Sequence, residues 1–110
     1  MDINMARKCK DTALCVVDAL CADYGRRERL ITSECKPCIR VEVELRYYNF
    51  KIIEAAEEIV GERYARTMIK EIGDATGYAH TALDYMSEAT YKETKREVRE
   101  NIAKRLHLTE

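Results

Sequence analysis

The stretch IRVEVELRYYNFKIIEAAEEIVG, residues 39–61, admits two readings, and the choice between them decides the fold class. Its opening alternates Ile39, Val41, Val43 and Leu45 with charged residues, which is the period of a β-strand. Over the whole stretch, however, Val41, Leu45, Tyr48, Ile52, Ala56 and Ile59 recur at three- and four-residue steps, along one side of a helix. A lone strand is unstable, and no other part of the chain alternates. The segment therefore reads as a helix from the turn around Pro37 to Gly61, where glycine suits a C-terminal cap. Ile39, Val43, Tyr47 and Phe50 fall on nearly the opposite side, so both faces of this helix are apolar. Such a helix is central or lies in a dimer interface, and self-association is expected.

Upstream, Met5, Cys9, Ala13, Val16, Val17, Leu20 and Tyr24 share one helical sector, and Cys15 points away. A first helix is expected from Asn4 to Tyr24, with Ile31 on the same sector extending it through Gly25 toward Thr32. Downstream, Tyr64, Ala65, Met68, Ile69 and Ile72 mark a helix over residues 62–72. Gly73 and Gly77 bracket a loop, and a short helix is expected over 78–85. Ser87 then caps a final helix over 88–106 with Tyr91, Val98, Ile102 and Leu106 inward. The expected architecture is all-α in a single domain, residues 1–110. A helical hairpin of two long helices (1–60, also the dimerisation part) precedes a three-helix unit with a helix-turn-helix (62–108).

The length allows one domain with a modest core. No apolar run approaches the roughly 18 residues that suggest a membrane span, and Asp2, Arg7, Lys8 and Lys10 interrupt any leader-like block, so a cytoplasmic protein is expected. In that reducing setting the five cysteines read as core residues or metal ligands rather than disulfides. Charge is balanced at a net −1 and spread along the chain, which argues against a strong non-specific nucleic-acid binder but leaves room for a local basic stripe.

Such a stripe is offered by the tail. A helix-turn-helix needs an apolar residue before the turn, a capping residue opening the second helix and a buried residue one turn on; Met86, Ser87 and Tyr91 supply them. On the second helix Ala89, Lys92, Arg96, Arg99 and Ala103 form one ribbon, and Glu93, Glu97 and Glu100 form the next. Lys92 and Arg96 repel at i,i+4, as do Glu93 and Glu97, each by about 0.2–0.5 kcal/mol, so this segregation favours a basic face with a task. Glu88 with Lys92 and Arg96 with Glu100 are equally ordinary supporting pairs of a solvated face.

The run from Met86 to Leu108, within residues 76–108, resembles the C-terminal ending of small phage-encoded transcriptional regulators of the RinA and ArpU type, in which a Ser-led helix continues into Ile-Ala-x-x-Leu, here Ile102, Ala103 and Leu106. The segment from Asp23 to Ile31 is similar to their basic, Tyr-containing early stretch. The resemblance implies sequence-specific binding of double-stranded DNA by a homodimer. By the resemblance Ser87 would cap the recognition helix, and Thr90, Lys92, Lys95, Arg96 and Arg99 would be its candidate DNA contacts. Tyr85 stands where many such motifs keep glycine. The competing expectation is a helical interaction or assembly protein without DNA binding.

Cys35-Lys-Pro-Cys38 has the form of half a zinc site, but no second C-x-x-C or His pair completes it. Glu54, Glu57 and Glu58 lack the Glu-x-x-His partners of a dimetal site. Residues 73–77 lack the Lys-Ser/Thr of a phosphate loop, and neither serine has a recognisable His and Asp. Neither an enzyme, a cofactor nor a small-molecule substrate is expected.

Overall fold

The computed structural model describes residues 2–34 and 38–109, with side chains from Thr12 onward. Helices α1 (Asp2–Ala22), α2 (Tyr24–Thr32), α3 (Ile39–Val60), α4 (Glu62–Gly73) and α5 (Glu88–Arg105) follow in order, and no strand occurs among the described residues. The assembly measures 43 × 39 × 21 Å, about two helix diameters thick.

The expected first helix is split at Asp23. The Arg27 guanidinium, 3% exposed, folds back there: it donates to the Leu20 carbonyl, to Asp23 at 3.2 Å and to Asn49 Oδ1 on α3 at 2.7 Å. Asn49 in turn donates to the Tyr24 carbonyl at 3.2 Å. A buried charge is tolerated only when its donors are satisfied, so this knot fixes the α1–α2 joint and seats α2 on α3. The split also revises the hairpin: α2 packs along α3, whereas α1 packs against α4 and α5.

The core joins Val17, Ile52, Ala55, Ala56, Ala65, Met68, Ile69, Leu83, Tyr91, Val98 and Ile102. Small residues let helices approach closely. A Cβ on Gly73 would lie 2.6 Å from the Ala22 backbone, so the α1–α4 crossing requires glycine. Gly61 turns α3 into α4 at φ +82°, in the region that only glycine occupies without strain. Links across residue 61 interlock the two halves: Arg99 pairs with Asp18 at 2.8 Å, Asn101 donates to the Ala55 carbonyl at 3.0 Å, and Arg105 bridges Glu54 and Glu58.

The expected helix over 78–85 is absent. A single 3-10 turn, Tyr78–His80, leads into irregular backbone. The cause is Glu71, a carboxylate 6% exposed on α4, which accepts from Thr81 Oγ1 at 2.5 Å, Ala82 N–H at 2.9 Å and Tyr91 Oη at 2.6 Å. Thr81 Oγ1 also accepts from Leu83 N–H at 2.9 Å. Side chains thus take the backbone donors that a helix would have used.

Candidate functional site

Two surfaces compete for a functional role: the water-facing side of α5 and the outer side of α3. On α5 the expected start is in place. Ser87 Oγ accepts from Thr90 N–H at 3.2 Å, Tyr91 is buried and Met86 is half-buried against the core. The preceding element is not a helix, so residues 78–106 do not form a tight helix pair.

The sequence-derived contact residues separate into two groups. Ser87, Thr90, Lys92 and Arg96 face water. Lys95 turns inward, its Nζ donating to the Thr76 carbonyl at 2.6 Å and lying 5.7 Å from the Tyr91 ring centre; burial pushes its pKa down. Arg99 is committed to Asp18, and Ala103 is buried, so the ribbon from Ala89 dives into the core after Arg96. The remaining two cations have partners on their own helix: Lys92 pairs with Glu88 at 3.2 Å, and Arg96 with both Glu93 and Glu100. The mixed face is therefore largely self-neutralised.

The opposite situation holds on α3. From Ile39 to Tyr48 only Glu42 and Leu45 are even half-buried, so the first three turns of the helix are largely exposed. Val41 and Tyr48, at the head of the stripe that runs to Ile59, are exposed; its buried part begins at Ile52, beside the buried Asn49. On the outer side Ile39 is 80% exposed, Val43 60% and Phe50 58%, with Tyr47 beside them. Tyr47 packs edge-on against Tyr48 with ring centres 5.7 Å apart, and Lys51 Nζ lies 5.9 Å from the Tyr47 ring centre. A groove of about 570 Å³ runs between this edge and α2, lined by Ile31, Thr32, Arg46, Tyr47, Phe50 and Ile53 among others.

Residues 35–37 lie outside the described residues, and with them Cys35; Cys38 is exposed at the start of α3. Among the described residues no three His, Cys, Asp or Glu side chains converge as a metal set. Cys21 is a core thiol, its pKa pushed up to about 12 by burial and then by Asp18.

Glu71 was not foreseen from the sequence. Burial pushes its carboxyl up, but donation by Thr81, Tyr91 and the Ala82 N–H outweighs this and holds it below the usual range. The Tyr91 hydroxyl is pushed up to about 12 by burial and by its bond to Glu71. The only sequence signal was position: Glu71 flanks the inward stripe of α4 next to Ile72.

Among the described residues no helix is long and apolar enough to cross a membrane. No known protein family matches the chain, and no curated protein or solved structure is similar to it.

Proposed function

We propose that this chain is a helical interaction protein, an adaptor or assembly factor that presents the outer face of α3 to a partner helix. The observation that carries this reading is the continuous exposure of Ile39, Val43, Tyr47 and Phe50 along one helix, beside an apolar groove. Single exposed apolar residues are normal on a protein surface, but a contiguous patch of this kind favours association, and a helix laid into a groove is a common recognition mode. Each Å² of apolar surface removed from water contributes about 25 cal/mol, so the stripe is where binding yields most.

The test compares the wild-type chain with a Val43→Glu/Phe50→Glu variant by crosslinking in the producing cell, with circular dichroism on both. Wild type is expected to form a discrete crosslinked species of fixed stoichiometry, and the variant to lose it while keeping its helicity. The same crosslinked species from both would sink the proposal.

A second reading, sequence-specific DNA binding in phage-type transcription control, draws on the outward start of α5, where Ser87, Thr90, Lys92 and Arg96 stand together on the water-facing side. In this reading Lys92 and Arg96 exchange their glutamates for phosphates, and Lys95 and Arg99 hold the helix in place rather than touch DNA. Selection from random duplex DNA near physiological salt is expected to recover a defined motif, and Lys92→Ala/Arg96→Ala to flatten the salt slope by about two counterions. Recovery of no motif removes this reading. A cytoplasmic setting suits both, since Cys21 is an unpaired core thiol.

A further inference from the structure

The outer side of α3 carries more than an apolar stripe. Beside Ile39, Val43 and Phe50 runs a second stripe at alternating four- and three-residue steps: Arg40, Glu44, Tyr47, Lys51 and Glu54. Its charges read plus, minus, tyrosine, plus, minus. Reversed about Tyr47, the stripe is its own complement: Glu44 comes opposite Lys51, Tyr47 meets itself, and Arg40 comes toward Glu54, which Arg105 of its own chain already holds, so the Glu44–Lys51 pairs carry the match. A parallel copy in register places every charge against its like. A partner of uniformly acidic or basic character meets both signs and gains from neither.

We propose that the occupant of this face is a second copy of the chain, docked antiparallel with its two-fold axis near Tyr47; this rests on the interaction reading above and names its partner. The pairing is isologous, so each groove between α2 and α3 receives the edge of the other copy's α3. Size requires the groove to take part. A stable interface buries about 800 Å² per partner, roughly a tenth of this chain's 7609 Å² of surface. The helix face from Ile39 to Glu54 is only about 22 Å long, so it supplies part of that area and Ile31, Thr32 and Ile53 supply the rest. Phe50, at the lip of the groove and 58% exposed, is the anchor. Antiparallel order also brings the projecting turns around Ile39 of each copy over the better-supported half of the other helix, covering the part of α3 that its own chain leaves bare.

Sedimentation equilibrium on the purified full chain tests the proposal. Wild type is expected to sediment at twice its 12.8 kDa mass, and Phe50→Glu as a monomer of unchanged helicity. The charge stripe separates antiparallel from parallel pairing. Glu44→Lys or Lys51→Glu alone places like charges together twice and is expected to raise the dimer dissociation constant by about 3- to 10-fold, and the two substitutions in one chain restore it. A parallel dimer is indifferent to all three, so unchanged affinity in the single variants overturns the antiparallel arrangement. A monomer at every concentration overturns the choice of a second copy. If the crosslinked species in the cell still depends on Val43 and Phe50, that overturn is confined to the occupant and the interaction reading stands; if that species fails as well, both fall.

Discussion

Residues 74–87 and the outer half of α3 are both segments that their neighbours leave uncovered on one side, yet they solve the problem in opposite ways. The loop sets Leu83 into the core with Tyr78 and Met86 against it, and its backbone is tied down by polar groups. Glu71 takes three donors, Lys95 closes on the Thr76 carbonyl, and Tyr78 Oη donates to the Met86 carbonyl at 2.7 Å. The outer half of α3 carries abundant apolar surface, and among the described residues Ile39, Val43, Tyr47 and Phe50 stay exposed. Intramolecular satisfaction marks the first region as architecture. The exposed stripe of the second is what the interaction proposal rests on, and α5, with Lys92, Arg96 and Arg99 all in ion pairs, falls on the architectural side of that divide.

The contrast is most exposed to failure at Glu71. Glu71→Ala takes the acceptor from the half-buried Thr81 hydroxyl and the Ala82 N–H and leaves the buried Tyr91 hydroxyl only the Thr76 carbonyl at 3.3 Å. Each orphaned group costs about 1–3 kcal/mol, and partial relaxation brings the expected loss of stability to about 3–4 kcal/mol in a denaturant melt. Hydrogen exchange across 74–87 should speed up well beyond that of α3. The same carboxylate sets an acid limit. Its folded pKa lies below the unfolded value near about 4.3, so its contribution is complete above that pH and is lost as pH falls through the folded value. Acid unfolding is therefore expected to begin below about pH 4, with Glu71→Gln less stable at neutral pH and flatter in that window. A loop whose exchange is indifferent to Glu71 would remove the distinction between the two regions.

A smaller effect sharpens the architectural side. Gly73→Ala drives a methyl group into the Ala22 backbone at 2.6 Å, where no flexible side chain can yield, and overpacking of this kind costs about 2 kcal/mol. Alanine ordinarily stabilises a helix position relative to glycine by about 1 kcal/mol, so the sign of the change is itself the test. A thermal melt that rises on substitution would mean that α1 and α4 are further apart than described.

These contrasts explain which parts of the molecule were legible in its sequence. The helices at 39–60, 62–73 and 88–105 follow from three- and four-residue recurrence and from the punctuation of Gly61 and Ser87, both local signals. The missing helix at 78–85 was not legible, because what unwinds it is a carboxylate ten or more residues away that offers Thr81 and Ala82 a better acceptor than their own helix would. The ion pairs of Lys92 and Arg96 were written in i,i+4 spacing, but Arg99 with Asp18 joins residues 81 apart and could not be read at all. On α3 the two apolar faces were visible. Which of them the chain covers depends on where α2, α4 and α5 end up, and near Ile39 they cover neither.

The smallest expected effect tests the outer side of α3 from the opposite direction. Phe50→Glu and Val43→Glu remove no described core contact of importance, and surface substitutions away from such features stay within about 0.5 kcal/mol. Glutamate is also a better helix former than phenylalanine or valine by a few tenths of about 1 kcal/mol. Measured on dilute chain, where association does not contribute, the unfolding midpoint should hardly move; at high concentration wild type should gain stability by mass action and the variants should not. A midpoint that drops sharply in the variants even when dilute means that these residues already pack within their own chain. The outer half of α3 would then belong with residues 74–87 as architecture. A midpoint that depends on concentration in wild type alone places the unfinished surface at Val43 and Phe50, where burial by a partner supplies what the fold leaves open.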